Sequence, residues 1–230
     1  MRVFLLYTLL LPGACARPSD AIKIPPVETS FDVKGQLVKI TAWGDIVNDP
    51  AGSRLALTAD LHALQENISA LLAAELNRND RCGERLTVES ATLEAASPSA
   101  ILTGHMHVER WACAKAFGRD IAKRLAGGNA VVTVKLTPSA GLDGVAIVSE
   151  VQKIDAEGSL GELLRGSNLG DMVKQKIAAG IESSLRKALD LKSALPAPVT
   201  MKSARFDKSP EGRLLLSVTG VLRSASAAAQ

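Results

Sequence analysis

The chain has 230 residues, enough for one medium domain or two small ones sharing a core. Apolar residues make up 47% of it and aromatics only 3%, so the interior is built mainly from Ala, Leu, Val and Ile. A net charge of +3 is too little to imply a nucleic-acid partner, which needs a concentrated basic face. Beyond the first sixteen residues no segment reaches the roughly 18 apolar residues of a membrane-spanning helix.

Met1-Arg2 is a short basic start, and Val3 to Leu11 is an apolar run of secretory length. Pro12-Gly13 then breaks the run before Ala14-Cys15-Ala16, a small-x-small cleavage site. Residues 1–16 therefore read as a signal peptide and the protein as exported, periplasmic or secreted, from a bacterial envelope. A second reading takes Gly13-Ala14-Cys15 as the end of a lipobox, which would anchor the protein by a lipid on Cys15; Pro12 stands where such signals usually carry Leu. Both routes leave Cys82 and Cys113, which in an oxidising compartment are most simply a disulfide.

Residues 17–30, with Pro18, Pro25 and Pro26, predict an extended linker. Phe31 to Val47 predicts a strand bent near Gly35, and Leu55 and Leu57 a short strand before a helix that Asp60 can cap. That helix carries Leu61, Leu64, Ile68, Leu71, Leu72 and Leu76 at helical spacing. Leu86–Leu93 and Ile101–Trp111 predict a hairpin turning at Ser97-Pro98, with Leu102, Gly104, Met106 and Val108 facing inward. Phe117, Ile121 and Leu125 recur every fourth residue among Lys115, Arg119, Lys123 and Arg124, which predicts a basic amphipathic helix closed by Gly127-Gly128. Such a helix packs on the body or rests on an anionic bilayer surface, a peripheral membrane contact.

Asn129–Thr137 and Gly144–Ile154 predict a second hairpin across Pro138-Ser139-Ala140-Gly141. A glycine-rich connector leads to a second helix, about Leu169 to Leu189, whose stripe includes Met172, Ile177, Ile181 and Leu185. Val199–Phe206 and Arg213–Leu222 make a last hairpin, and residues 224–230 a flexible tail.

The chain also resembles itself at an offset of about 112–113 residues. Thr87, Ser90, Ala91, Leu93 and Glu94 match Thr200, Ser203, Ala204, Phe206 and Asp207, and Leu64, Ile68 and Leu72 match Ile177, Ile181 and Leu185. Two helix-plus-hairpin units related by a pseudo-two-fold follow from that repeat.

Motifs of chemistry are sparse. Gly158-Ser159-Leu160-Gly161 lacks the spacing of a nucleophile elbow, and no Gly-Lys-Ser/Thr follows the nearby glycines. His105 and His107 share a strand face with Glu109, but the matching positions of the other copy, Ser217, Thr219 and Val221, could not bind a metal. Polar decoration of an outer sheet face explains the pair without a metal. No nucleophile and base stand together, so a non-enzymatic role without cofactor or metal is expected.

From LALTADLHALQENISALLAAEL, running strand into helix, through the helix ending near Leu195-Pro196 and the hairpin after each helix, the layout resembles the tubular lipid-binding (TULIP, BPI-like) superfamily. The resemblance implies an α+β fold over residues 31–223, with a long twisted antiparallel sheet wrapped around two amphipathic helices. It implies a lipid or other hydrophobic ligand in an apolar cavity lined by Leu64, Ile68, Leu72, Met172, Ile177, Ile181 and Leu185. The alternative is a structural or assembly factor of the envelope, with a filled core and a protein partner.

Overall fold

A computed structural model describes residues 21–222, apart from 34, 50–51, 78, 81, 117–118, 142–143 and most of 167–198. Its described residues form two antiparallel sheets. The first has the order β1-β2-β3-β9-β8, from β1 (Ala21–Val33), β2 (Gln36–Asp49), β3 (Gly52–Asp60), β8 (Val199–Lys208) and β9 (Leu214–Leu222). The second runs β4-β5-β6-β7, from β4 (Gly83–Ala96), β5 (Ser99–Ala116), β6 (Arg119–Gly141) and β7 (Gly144–Ala156). Helix α1 (His62–Leu76) links the sheets, and the short α2 (Gly158–Gly166) follows β7.

This corrects the expected architecture. Among the described residues the fold is mostly two sheets with short helices, not one sheet wrapped around two amphipathic helices. Most of the expected second helix lies outside the described residues; within it Lys174, Gln175, Ala178, Ala179 and Glu182 are helical. Glu182 Oε1 accepts hydrogen bonds from the Ser149 N–H at 3.1 Å and the Ser149 hydroxyl at 2.9 Å, against β7.

Helix α1 sits at the seam between the sheets. Its Leu64, Ile68, Leu71, Leu72 and Leu76 are buried with Val38 and Ile40 of one sheet and Val88, Leu102 and Met106 of the other. Its polar side chains complete the free edge of β4. The Ser69 hydroxyl donates to Ala91 O at 3.0 Å and accepts from the Ala91 N–H at 2.8 Å. Gln65 donates to Leu93 O at 3.0 Å, and Asn77 Oδ1 accepts from the Val88 N–H at 2.7 Å. An edge strand is thereby closed by a helix instead of another strand. Gln65 also accepts from the Leu214 N–H at 2.7 Å, fastening α1 to β9. Asp60 Oδ1 takes the His62 N–H at 2.8 Å, satisfying one open donor of the first turn.

Four local expectations change. Residues 21–30 are strand, not linker: Ile22 and Ile24 pair with Ile46 and Gly44, and Pro25-Pro26 sit at a register shift on a sheet edge, where no ladder donor is lost. A hairpin at Gly35, with φ of 84°, replaces the bent strand. The stretch Lys115–Leu125 is hairpin, not helix, since Cys113 pairs with Ala122 and Ala114 with Ile121. The β6–β7 reversal follows Gly141, which pairs with Gly144; Pro138 is inside β6, beyond the last β5 pair at Ala100–Leu136.

Candidate functional site

Across the first sheet, side chains directly opposite one another share a face, so the register defines rows. One row runs Ile22–Ile46–Leu55–Gly220–Met201, the next Ile24–Gly44–Leu57–Val218–Ala204, the third Val27–Ala42–Ala59–Leu216–Phe206. All are apolar, and Ile40 continues the same face into the core. Burial is graded along them. Phe206, Leu216, Ala59 and Leu55 are buried and Ala42, Gly44, Ile46 and Leu57 half-buried, whereas Ile22 and Val27 are 55% and 50% exposed. The apolar inner face therefore runs out from beneath α1 and opens along β1.

Polar groups lie on the opposite face, where Lys23 pairs with Asp45 at 2.7 Å across β1 and β2. The strip at Ile22, Ile24 and Val27 thus offers aliphatic side chains, with the Thr29 hydroxyl opposite Ile40 at its end, and is suited to binding mainly by desolvation.

Of the expected cavity residues, Leu64, Ile68 and Leu72 come together on α1 and are buried in the packed core. Met172, Ile177, Ile181 and Leu185 lie outside the described residues. Sequence reasoning missed Ile22, Ile24 and Val27 because the two prolines read as linker. The alternation of Ile22 and Ile24 was the available signal.

Cys82 and Cys113 are disulfide-bonded, with Cα atoms 5.6 Å apart. The bond joins the segment before β4 to β5 just past the last β4–β5 pair, Gly83–Trp111. Beside it, on the outer face, Glu109 accepts from Trp111 Nε1 at 2.8 Å and from Arg124 at 2.9 Å, while Arg85 stacks 4.2 Å from the Trp111 ring centre. The Trp111 hydrogen bond, helped by Arg124 and the nearby His107, lowers the Glu109 pKa against the opposing effect of desolvation. His107 bonds Asn129 at 2.8 Å through Nδ1 and lies 3.7 Å from Glu109 through Nε2. His105 is exposed. Among the described residues no three His, Cys, Asp or Glu side chains are grouped to hold a metal.

The turn of the β4–β5 hairpin meets the end of β8. Phe206 N–H donates to Pro98 O at 2.9 Å, and Asp207 accepts from Ser97, Arg205 and Ser217. Burial opposes charge on Asp207, but those three bonds outweigh it and lower its pKa. A surface cleft of about 320 Å³ lies alongside, between the start of α1, β4 and the β8–β9 turn, edged by Glu66, Glu94, Glu211 and Arg213. Its charged rim is unlike the apolar strip of β1.

No family model matches the chain, and no curated protein matches it. Among solved structures it is similar to one described as a crystal structure of lipopolysaccharide binding protein, at 13% identity and a TM-score of 0.39. The match covers 75% of this chain and 34% of that one, so the chain spans about a third of its length. Likeness at that level identifies neither family nor ligand.

Proposed function

We propose that this protein is exported to the bacterial envelope and there binds a lipid or other hydrophobic ligand, carrying or sensing an acyl chain without catalysis. The observation that carries the reading is the apolar face of the first sheet emerging uncovered along β1. Contiguous exposed apolar surface marks binding grooves and interfaces, and each methylene buried there contributes about 0.8 kcal/mol. The disulfide fits an oxidising compartment such as the periplasm. No helix among the described residues is long and apolar enough to cross a membrane. The TULIP-like reading, with its signal peptide and duplicated unit, belongs to the same proposal. Support for the duplication comes from the two hairpins, whose registers slip at Glu89 and at Lys202, 113 positions apart.

A second reading, an assembly factor with a filled core and a protein partner, is favoured by the packing of Leu64, Ile68 and Leu72. Lipid extraction and mass spectrometry of protein from its native compartment, with titration of a fluorescent fatty acid, separates the two. A co-purifying lipid and saturable probe binding, lost in Ile22→Asp/Val27→Asp, are expected. Both positions are exposed enough to accept a charge without unfolding. A lipid-free wild type that ignores the probe would overturn the lipid reading and leave the assembly factor.

A further inference from the structure

Strand β4 begins at Gly83, opposite Trp111, and β7 ends at Ala156, opposite Ala130. Past the Trp111–Arg124 pair the second sheet therefore continues, among the described residues, as β5 and β6 alone, for five further pairs ending at Ala116–Arg119. At a rise of about 3.3 Å per residue this ribbon projects about 17 Å. An isolated two-stranded ribbon is marginal in water, yet this one is braced at its root. The Cys82–Cys113 bond clamps β5 there, and the Arg85–Trp111–Glu109–Arg124 cluster holds both strands.

The ribbon's composition is unusual for a solvated projection. Ile121 of the ribbon and Leu125, the unpaired residue at its root, are 53% and 58% exposed, and Ala112 and Ala114 are exposed as well. Lys115, Lys123 and Arg124 are exposed among them. Ile121 and Lys123 share one face, and Lys115 lies on the other, across from Asp120, so Lys123 is the lysine beside the exposed Ile121. Residues 112–125 carry Lys115, Arg119, Lys123 and Arg124 against Asp120 alone.

We infer that the β5–β6 ribbon is a membrane-docking element that seats Ile121 and Leu125 in the headgroup region of an anionic bilayer while Lys123 meets lipid phosphates. Exposed aliphatic side chains gain by leaving water, and the flanking cations supply the attraction that brings them to a negative surface. Charge complementarity thus selects an anionic bilayer over a neutral one. The docking does not depend on an acyl chain held against β1, because the two surfaces lie on different sheets.

Flotation of the purified full chain with phosphatidylcholine vesicles, with and without added phosphatidylglycerol, tests it. Wild-type protein floats with the anionic vesicles only, and salt weakens the binding. Lys123→Gln lowers affinity about fivefold, from about 1 kcal/mol for a cation near the surface, and Lys115→Gln, on the other face, lowers it less. Ile121→Ser/Leu125→Ser removes binding at an unchanged melting temperature. The inference is overturned if wild-type protein ignores both vesicles, which would leave the ribbon to a protein partner, or if these variants bind as wild type. Ile22→Asp/Val27→Asp should float normally, so failure of the lipid reading and failure of docking remain distinguishable.

Discussion

At the scale of single residues, Gly44 and Gly104 illustrate how neighbours decide what a position tolerates. A methyl at Gly44 would collide with the Ala56 carbonyl oxygen, a backbone atom that the β2–β3 ladder holds in place. One at Gly104 would come within 3.0 Å of the Met106 terminal methyl, which can swing away. Gly44→Ala should therefore destabilise the fold by about 1–3 kcal/mol, as overpacking does, while Gly104→Ala stays within about 1 kcal/mol of wild type. Urea unfolding of both variants checks this, and equal midpoints would refute it. Neither glycine's role was legible beforehand. Both occupy strands, and the difference lies in which atoms the fold brings opposite them.

At the scale of elements, α1 does more than bury its leucines. A helix with an apolar stripe usually lies on a sheet face, but Gln65, Ser69 and Asn77 hydrogen-bond the free edge of β4. Ser69→Ala removes the partner of both the Ala91 N–H and the Ala91 C=O. We expect a loss of about 1–3 kcal/mol, the cost of stranding part-buried polar groups. Hydrogen exchange should show the Ala91 amide losing protection ahead of the inner strands. Unchanged exchange at Ala91 would mean that water replaces Ser69 without loss. The stripe Leu64, Ile68 and Leu72 was legible from helical periodicity. The three polar residues were not, because nothing local says that a neighbouring strand lacks a partner. The Lys115–Leu125 stretch failed for a different reason. Apolar residues four apart fit one face of a helix, and four is also an even number, so they fit one face of a strand. Pairing with β5 resolved the ambiguity.

At the scale of the molecule, two sheets meet through α1 and where the β4–β5 turn at Pro98 bonds Phe206 of β8. The Cys82–Cys113 bond closes a 31-residue separation around the β4–β5 hairpin. On a chain-entropy estimate such a loop is worth about 3–4 kcal/mol. Reduction should lower the melting temperature while leaving far-ultraviolet circular dichroism largely intact, because the α1 and β6 contacts of the hairpin remain. Loss of all secondary structure on reduction would show the bond to be obligatory for folding.

The sequence by itself determined the hairpin at Ser97-Pro98, the inward alternation of Leu102 to Val108, the α1 stripe and the Cys82–Cys113 partnership. Each follows from local period, turn chemistry or cysteine count. Tertiary structure alone decided that the strands divide into two sheets, that α1 seals an edge, that residues 21–30 join a sheet and that the β5–β6 ribbon extends past β4 and β7. Those outcomes depend on which strands become neighbours across more than a hundred residues, as β3 and β9 do. The periodicity of a strand states which face is apolar, but carries no information about the strand that will lie beside it.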